Sequence, residues 1–578
     1  MQYRTVQSQK FADEYPVDIN TLGSFYTKEK TLFRVYSPMA KSMLLRLGMN
    51  SYEMKRLPEG VFETVVAGDH ERSEYCYIND SGISFSDPFS YCDSYDRKRS
   101  FVLDVNKLKK EKIKPKSISY LETVVYETSV RDFSSDPNLP CQHPRKFLAL
   151  IEEGLVLNGE KVGFDHLLEL GITHLQLMPV FDFDLDRTEY NWGYNPLSYN
   201  SLYQGYCVAN DPYEIISELR TVADHLHKKD LRLVLDVVFN HVFDIRKTAL
   251  GKSLPGYCVR YTSKGEMANG TYCGNEIRSE ASFIRDYLKL MVKRYIEIYD
   301  IDGLRFDLMG ILDIDTVNCL AKTVKELKQD FLLLGEAWNM GDVLRFEERA
   351  CMENHEKMPS FHFFNNRFRD SVKRFCADRN EDRSFIGNVL TAISSNLPIN
   401  QTVNYVECHD NATYNDYLLM NCPNDSYETI RAKAKLALGM TILSRGIPFI
   451  HSGQEFGRTK KMIDNTYNCG DEINMLDWSL VSRNHDVFEY AKKLLQIRRH
   501  YPCFRDEKAK VSFENYYEVL VYHLDELTIL INPCIFDHVY HANKSFRKIF
   551  GDNGFSDEIT DTVEVKAHSL VILDNHTI

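Results

Sequence analysis

The chain has 578 residues, 43% hydrophobic and 26% charged, a composition typical of a globular protein with about three or four domains, or fewer if one is a large barrel. Its formal net charge of −13 is spread along the sequence, which argues against nucleic-acid or anionic-membrane partners and favours a neutral or cationic ligand. The N-terminus has no apolar signal region and no apolar run reaches about 18 residues, so we expect neither export by that route nor a membrane span.

Short alternating segments such as T-L-F-R-V-Y-S and S-M-L-L-R-L-G-M fill the region from about Thr31 to Asp104, with turn-forming residues between them. This alternation predicts strands with one buried face, and residues 1–105 are interpreted as a small β-sandwich domain. Residues 106–118 begin with the lysine-rich run N-K-L-K-K-E-K-I-K-P-K. That run favours a linker, and the alternative is a charged surface helix.

Residues 119–506 contain apolar strand-like runs that alternate with amphipathic helical segments, the pattern of a parallel sheet with crossover helices. Eight strands are predicted: Val124–Val130, His174–Met178, Arg232–Val238, Asp302–Phe306, Phe331–Gly335, Ser360–Phe363, Val403–Val406 and Ile447–Ile450. Helices are predicted between them at Pro212–Lys229, Ser282–Ile298, Ile314–Lys328 and Ser426–Leu443.

Eight such units favour a (β/α)8 TIM barrel. The alternative, an open doubly wound sheet, lacks a glycine-rich phosphate turn after the first strand. Residues 507–578 return to short alternating segments. The predicted fold class is therefore α/β: a TIM barrel flanked by an N-terminal β-sandwich and a C-terminal antiparallel β-domain.

Fourteen cysteines occur singly between Cys76 and Cys534, without a C-x-x-C pair. Disulfide frameworks and metal sites in small domains have closer and more regular cysteine spacings. The pattern therefore predicts reduced thiols in a cytoplasmic protein, and no metal ligands among the cysteines.

Polar residues follow four of the predicted strands, where the chemistry of a barrel gathers. These ends are Asn240 with His241, Arg305 with Asp307, Glu336 with Trp338, and His409 with Asp410. Taken singly, each has a structural explanation: an ion pair, a helix cap or a packed ring. Four such ends together favour one site. Two carboxyl groups, one ionised and one protonated, are what glycoside cleavage requires, although the residues alone assign neither roles nor linkage.

The four segments, in this order, resemble the four conserved regions of glycoside hydrolase family 13, the α-amylase superfamily. The resemblance implies a retaining mechanism with Asp307 as nucleophile, Glu336 as general acid and base, and Asp410 stabilising the distorted sugar. It also implies that the sugar on the non-reducing side of the cleaved bond is bound by His241, Arg305 and His409. The residue types agree, because neighbouring carboxylates raise the pKa of Glu336 while Arg305 favours the anion at Asp307.

The stretch Y-N-W-G-Y-N-P at 190–196 resembles the signature of type I pullulanases, which hydrolyse α-1,6 branch points in pullulan, glycogen, amylopectin and limit dextrins. The resemblance implies that Tyr194 stacks on the sugar at the cleavage point and that Trp192 packs below it. Residues 467–478 also resemble these enzymes, so sugar contacts are expected from Asp471 and Asn474. A further sugar contact is expected from Trp338, at the end of the strand that precedes Glu336. Residues 33–40 resemble the start of a family 48 carbohydrate-binding sandwich.

The predicted function is hydrolysis of α-1,6 branches in a branched α-glucan. Two alternatives stay open: a transglycosylase or branching enzyme with the same carboxylates, and a non-catalytic α-glucan-binding protein. No cofactor is required by this prediction. A structural calcium ion remains open because Asn240 stands where some relatives recruit one, but no ligand set is visible. The oligomeric state is not readable from the sequence.

Overall fold

The computed structural model describes residues 2–575, apart from 186–188, 342, 378–383, 385, 388–389, 391–396 and 553. Two antiparallel sheets form its N-terminal part. One sheet contains, in spatial order, Gly23–Tyr26, Lys30–Tyr36, Val61–Ala67 and Lys55–Arg56. The other contains Asn50–Glu53, Met43–Leu47, Glu74–Asn79 and Ser84–Phe85, and Ser100–Phe101 also pairs with Glu74–Asn79. Alternate residues of both sheets point inward and pack into one apolar core, as in a sandwich.

Eight parallel strands close into a barrel, since the last strand pairs with the first. We label them β1 (Val125–Thr128), β2 (His174–Leu177), β3 (Arg232–Val237), β4 (Gly303–Phe306), β5 (Leu332–Gly335), β6 (His362–Phe364), β7 (Thr402–Asn404) and β8 (Ile447–His451). Each begins and ends within two residues of its predicted bounds. The predicted TIM barrel is confirmed.

Helices connect the strands and surround the barrel. The helices on the connections are Phe164–Leu170, Pro212–Lys228, Ser282–Arg294, Ile314–Leu327, Asn366–Cys376, Tyr427–Leu443 and His485–His500. Shorter helices are Gln2–Val6, Gln9–Glu14, Ala249–Ser253, Tyr414–Asn421, Asp471–Asn474 and Ser479–Arg483. The Asp211 side chain accepts from the first backbone N–H groups of the helix that begins at Pro212, which fixes where that helix starts. The helix predicted over Ser282–Ile298 is α-helical only to Arg294 and then widens into a π-helical turn, Tyr295–Tyr299.

The barrel strands separate two layers of side chains. Leu304 and Phe306 of β4 belong to the apolar layer between the barrel and its helices. Residues such as Val234, Leu334 and Phe449 fill the barrel interior. Since successive strand residues alternate, Arg305 and Asp307 face the interior from β4.

The C-terminal part forms one antiparallel sheet of six strands. In spatial order they are Val511–Tyr516, Val519–Leu524, Leu527–Asn532, Ser569–Asp574, His538–Gly551 and Gly554–Val565. Apolar residues of this sheet, among them Phe550 and Leu570, join the core of the outer barrel helices. None of the helices in the described part of the chain has the length and apolar character that crossing a bilayer requires.

Candidate active site

The carboxylates predicted at strand ends lie together at one edge of the barrel, because parallel strands bring their carboxyl ends to the same side. Asp307 follows β4, Glu336 follows β5 and Asp410 lies beyond β7. Asp307 and Glu336 are 7% and 6% exposed, whereas the Asp410 side chain is 43% exposed. The edge therefore holds two buried carboxyl groups and one that faces solvent.

Arg305 connects the two buried carboxyl groups. Its Nη1 donates to Asp307 Oδ1 at 2.9 Å and to Asp236 Oδ2 at 2.9 Å. Its Nη2 lies 2.8 Å from Glu336 Oε2. Burial opposes the charge of the guanidinium, but the carboxylates of Asp236, Glu336 and Asp307 outweigh it and hold the pKa of Arg305 well above its usual range. Arg305 is therefore a permanent cation shared by three carboxyl groups.

Asp307 is held from both sides. While Arg305 binds Oδ1, the amide of Asn240 donates to Asp307 Oδ2 at 2.8 Å and to its backbone oxygen at 2.6 Å. Each carboxylate oxygen therefore has its own side-chain donor, and the two contacts fix the orientation of the carboxyl group. The next residue, Leu308, has φ 37° and ψ 48°, a left-handed conformation that is strained for a leucine. This turn of the chain directs the Leu308 N–H toward Glu336.

Glu336 has a raised pKa and accepts hydrogen bonds from two neighbouring residues. The Leu308 N–H donates to its Oε2 at 3.1 Å, and the indole Nε1 of Trp338 donates to its Oε1 at 2.9 Å. Burial raises the pKa of Glu336 to about 7, with Asp307 and Asp410 adding to the effect and Arg305 opposing it. A carboxyl group in this range can give and take a proton near neutral pH. Trp338, predicted to contact the sugar, thus contacts Glu336 in this structure.

His409 stands between a buried carboxylate and the exposed one. Its backbone N–H and its Nδ1 lie 2.8 Å from the two carboxylate oxygens of Glu127, on β1. Its Nε2 lies 3.7 Å from Asp410 Oδ1. Burial lowers the pKa of His409, but Glu127 and Asp410 outweigh burial and raise the pKa to about 9. His409 is therefore an imidazolium near neutral pH.

Tyr194 lies in the long connection after β2 and packs against His409. The two rings stack with centroids 4.9 Å apart and an interplanar angle of 16°. The Tyr194 hydroxyl donates to Asp236 Oδ2 at 2.6 Å. Trp192 is buried and meets the His409 ring edge-on at 5.2 Å. Trp192 thus packs below the site, and Tyr194 is partly exposed at it.

His241 follows β3 and is buried behind Tyr194. Its Nδ1 lies 2.5 Å from Asn240 Oδ1 and its Nε2 lies 3.1 Å from the Tyr194 carbonyl oxygen. Burial lowers the pKa of His241, so its neutral form is favoured, although Asp307 opposes this. The pair Asn240 and His241 therefore links the nucleophile candidate Asp307 to the Tyr194 loop.

The structure does not bring Asp471 and Asn474 into this cluster. Asp471 pairs with Arg131 at 2.7 Å and with Arg145 at 3.4 Å. Asn474 is 1% exposed, and its amide bonds to Thr466 and to the Gly470 backbone within its own loop. Because these side chains are engaged inside the protein, their observed contacts stabilise the 466–474 loop.

The predicted set omits three residues that contact the site: Glu127, Asp236 and Lys460. Lys460 Nζ donates to the His409 carbonyl oxygen at 2.8 Å. Glu127 and Asp236 are carboxylates inside apolar strands, and a buried carboxylate needs a cation or donor, which is a signal readable in the sequence. Lys460 lies in a loop after β8, where the sequence carries no comparable signal.

The Asn240 amide is engaged by protein groups in this arrangement. Both ends of its amide contact neighbouring side chains, Asp307 and His241. Among the described residues, one group of side chains could bind a metal ion: Asp224, His227 and Asp300. It lies at the opposite end of the barrel, and Lys328 already pairs with Asp300 at 3.0 Å. At the active-site end of the barrel, no group of acidic, histidine or cysteine side chains with metal-ligand spacing is found among the described residues.

The chain is similar to known carbohydrate-active enzymes over part or nearly all of its length. The family described as alpha amylase, catalytic domain, matches residues 275–493. The pullulanase of Bacillus subtilis strain 168 is 34% identical to this chain, over 98% of the chain and 86% of that protein. A glycogen debranching enzyme of Cronobacter sakazakii is 26% identical, over 73% of this chain and 69% of its own length.

Solved structures give the same result. The pullulanase of Anoxybacillus sp. LM18-11 complexed with maltotriose has a TM-score of 0.94 and 31% identity, and the match covers 98% of this chain and 87% of that one. Pullulanase type I of Bacillus subtilis complexed with maltose has a TM-score of 0.93 and 32% identity, with the same coverage. The chain belongs to the pullulanase family of α-amylase-type glycoside hydrolases.

Proposed function

We propose that this chain hydrolyses α-1,6 branch points in pullulan, glycogen, amylopectin and limit dextrins with retention of configuration, through Asp307, Glu336 and Asp410. The observation that carries the retaining mechanism is the Arg305 guanidinium, whose two terminal nitrogens contact Asp307 and Glu336. Because both carboxyl groups contact the same guanidinium, they lie close together. Retaining glycosidases hold theirs about 5 Å apart, whereas inverting enzymes leave a wider gap for water.

In the first step, Asp307 attacks the anomeric carbon of the sugar at the branch. As the new bond forms, the bond from that carbon to the bridging oxygen breaks, and Glu336 gives its proton to the departing 6-hydroxyl. The arrangement supports these roles, because Asp307 is held by Arg305 and Asn240 while burial raises the pKa of Glu336 to about 7.

In the second step, Glu336, now ionised, takes a proton from water. The resulting hydroxide attacks the anomeric carbon and Asp307 leaves, so that the sugar is released with its original configuration. Splitting one displacement into two lowers the barrier of each. Both residues return to their starting protonation states.

The remaining site residues bind the sugar. We assign Asp410 to the distorted ring and its developing positive charge, with His241, Arg305 and His409 lining the subsite on the non-reducing side of the cleaved bond. Tyr194 presents a partly exposed ring, and an aromatic face suits the apolar face of a pyranose. Relatives crystallised with maltotriose and maltotetraose support recognition of short α-glucan arms.

A reducing compartment suits this chain. The structure describes all fourteen cysteines and joins none of them in a disulfide, and eight of them are buried. We place the protein in the cytoplasm on this ground, since disulfides mark oxidising compartments. Alkylation of the intact and the denatured protein with a thiol reagent, followed by mass measurement, tests the absence of disulfides.

We also propose domain limits of 1–105, a linker at 106–118, a barrel at 119–506 and a C-terminal domain at 507–578. The observed elements support them: the last strand of the first two sheets ends at Phe101, β1 begins at Val125, and the C-terminal sheet begins at Val511. Limited proteolysis with identification of the cut sites tests these limits.

Product analysis on pullulan beside linear amylose tests the reaction. We expect maltotriose and a stoichiometric gain of reducing ends from pullulan, and little change in amylose. Longer or newly branched products without a gain in reducing ends would indicate transglycosylation instead. Binding without any product would indicate an α-glucan-binding protein.

The nucleophile assignment has its own test. Asp307→Asn removes the attacking oxyanion but keeps the size of the side chain, so we expect hydrolysis to fall by orders of magnitude while branched dextrin still binds. The matched control is Asp315→Asn, an exposed position in the first turn of the helix that follows β4. Near-normal turnover of Asp307→Asn would refute the assignment.

A further inference from the structure

We propose that Glu127 is a positioning residue for the reaction: from β1 it holds His409 charged and aims the Nε2–H of His409 at Asp410 and the bound sugar. The inference rests on the sugar-binding roles proposed for His409 and Asp410. Glu127 itself is 1% exposed and lies behind His409 in the barrel interior, so it acts through His409.

The geometry is a two-point clamp. Glu127 Oε2 accepts from the His409 backbone N–H, and Oε1 faces the ring Nδ1, each at 2.8 Å. Gln176 of β2 donates to the same Oε1 at 3.2 Å and fixes the carboxylate laterally. One carboxylate thus makes a hydrogen bond to the His409 backbone and another to its ring, which together determine the position of the His409 turn and the rotation of the ring. The ring can then present only Nε2 to the cleft.

The clamp also supports the Tyr194 ring, on which the sugar is proposed to stack. The Tyr194 ring stacks on His409 at 4.9 Å, and its hydroxyl lies 3.5 Å from His409 Nδ1. A cationic ring against an aromatic face is attractive. If His409 rotated or lost its charge, both the Nε2–H and the backing of Tyr194 would change.

The charge of His409 depends on several elements around it. Anionic or acidic groups are Glu127, Asp410 and Asp236; cationic or basic groups are Arg305, His451 and Lys460. Glu127 favours the cationic form of His409 more strongly than Asp410 does, while burial and Arg305 oppose that form. The His409 ring in turn lowers the pKa of Glu127 to about 2 against the effect of burial. Glu127 is thus ionised throughout the working pH range.

The chain offers a matched control in a second buried pair. Glu407 is 4% exposed, accepts from the Tyr414 backbone N–H, and lies 3.0 Å from His451 Nδ1. Its two contacts, a backbone N–H and a ring Nδ1, match those of the Glu127 clamp, but burial raises the pKa of Glu407 to about 7 and lowers the pKa of His451, so the pair is not held as an ion pair. His451 is held by Arg458 rather than facing Asp410. A general loss of buried acid should therefore affect both variants alike, and loss of positioning should affect one.

The test compares Glu127→Gln, Glu127→Asp and Glu407→Gln on pullulan across the pH range, with melting temperatures for each. In the wild type Glu336 loses its proton before His409, but without Glu127 burial and Arg305 oppose the charge of His409, which should then lose its proton first and set the alkaline limb. We therefore expect Glu127→Gln to lower kcat by roughly tenfold or more and to move the alkaline limb of kcat/KM to lower pH. Glu127→Asp keeps the charge and should keep the wild-type limb with reduced kcat. Glu407→Gln should lose stability with the limb unmoved.

A double-mutant cycle separates action through His409 from direct effects. We expect Glu127→Gln combined with His409→Gln to be no worse than His409→Gln alone. Additive losses, an unmoved limb in Glu127→Gln, or equal shifts in Glu127→Gln and Glu407→Gln would overturn the inference. If the Gln variant does not fold, Glu127→Asp in the same cycle gives the answer.

Binding of maltotriose by calorimetry adds a readout that needs no turnover. We expect Glu127→Gln to weaken this binding more at alkaline than at acidic pH. If Glu127→Gln shows this pH dependence but the wild type does not cleave pullulan, the proposed function is rejected and the positioning role of Glu127 is kept. Cleavage by the wild type with pH-independent binding in Glu127→Gln would reject the clamp and keep the function.

Discussion

Asp236 of β3 and Arg305 of β4 are register partners, and the Arg305 nitrogen that contacts Asp236 also donates to Asp307. Two carboxylates on neighbouring strands therefore share one guanidinium nitrogen, which carries two N–H groups. Burial raises the pKa of Asp236 to about 7, although Arg305 opposes the rise. Asp236 fixes the direction of the guanidinium, and the guanidinium fixes Asp307 and Glu336.

We predict that Asp236→Asn lowers both activity and stability. The amide keeps one acceptor but loses the anion that anchors Arg305 Nη1, so kcat/KM should fall roughly tenfold or more, as for other groups that orient a reacting side chain. The free energy of unfolding should fall by less than the about 3–5 kcal/mol typical of a broken buried ion pair. Denaturant unfolding and kinetics on pullulan measure both. The control is Asp224→Asn, which removes a partner of Arg220 at the outer surface; equal losses in the two variants would argue against a role at the site.

A second prediction concerns pH. In its proposed role as the acid Glu336 must be protonated, and its pKa of about 7 then predicts an alkaline limb of kcat/KM near pH 7. The Trp338 indole donates to Glu336 Oε1 at 2.9 Å and thereby favours the anion. Trp338→Phe should therefore raise the pKa of Glu336 and move the limb to higher pH, since a donor to the charged form is lost. The pH profiles of both enzymes on pullulan check this; a limb that moves to lower pH would contradict it.

Tyr194 should give different results when its hydroxyl or its whole ring is removed. Tyr194→Phe loses the 2.6 Å hydrogen bond to Asp236 and keeps the stacking surface, so we expect kcat to fall with a nearly unchanged KM. Tyr194→Ala removes the ring that stacks on His409 and should raise KM as well. Steady-state kinetics on pullulan separate the two. Identical kinetic changes in both variants would show that the ring does not bind sugar.

Asn474 distinguishes the sequence-based expectation from the observed contacts. Its amide makes hydrogen bonds only within the 466–474 loop among the contacts described. Removing a buried amide costs about 1–3 kcal/mol, so Asn474→Ala should lower the melting temperature while kcat/KM at a temperature below unfolding stays near wild type. A large loss of kcat/KM in a folded variant would instead restore the predicted sugar contact.

The barrel and its carboxylates were predictable because buried parallel strands are apolar runs, and polar residues directly after them stand out. Asp307 and Glu336 are such residues. Glu127 and Asp236 are harder to assign, since their partners, His409 and Arg305, are set by strand pairing and barrel closure. The Asn474 contacts depend on the path of a loop, and its composition does not specify that path.

At Leu308 the conformation that the site uses is one that lowers the stability of the enzyme. Its left-handed backbone, φ 37°, is the conformation in which the Leu308 N–H donates to Glu336, the proposed acid, next to Asp307. Glycine at this position would relieve the strain but would allow the turn to sample other conformations. Selection for heat resistance alone would therefore favour changes here that blunt the reaction, and a thermostable variant should be sought at positions remote from this turn.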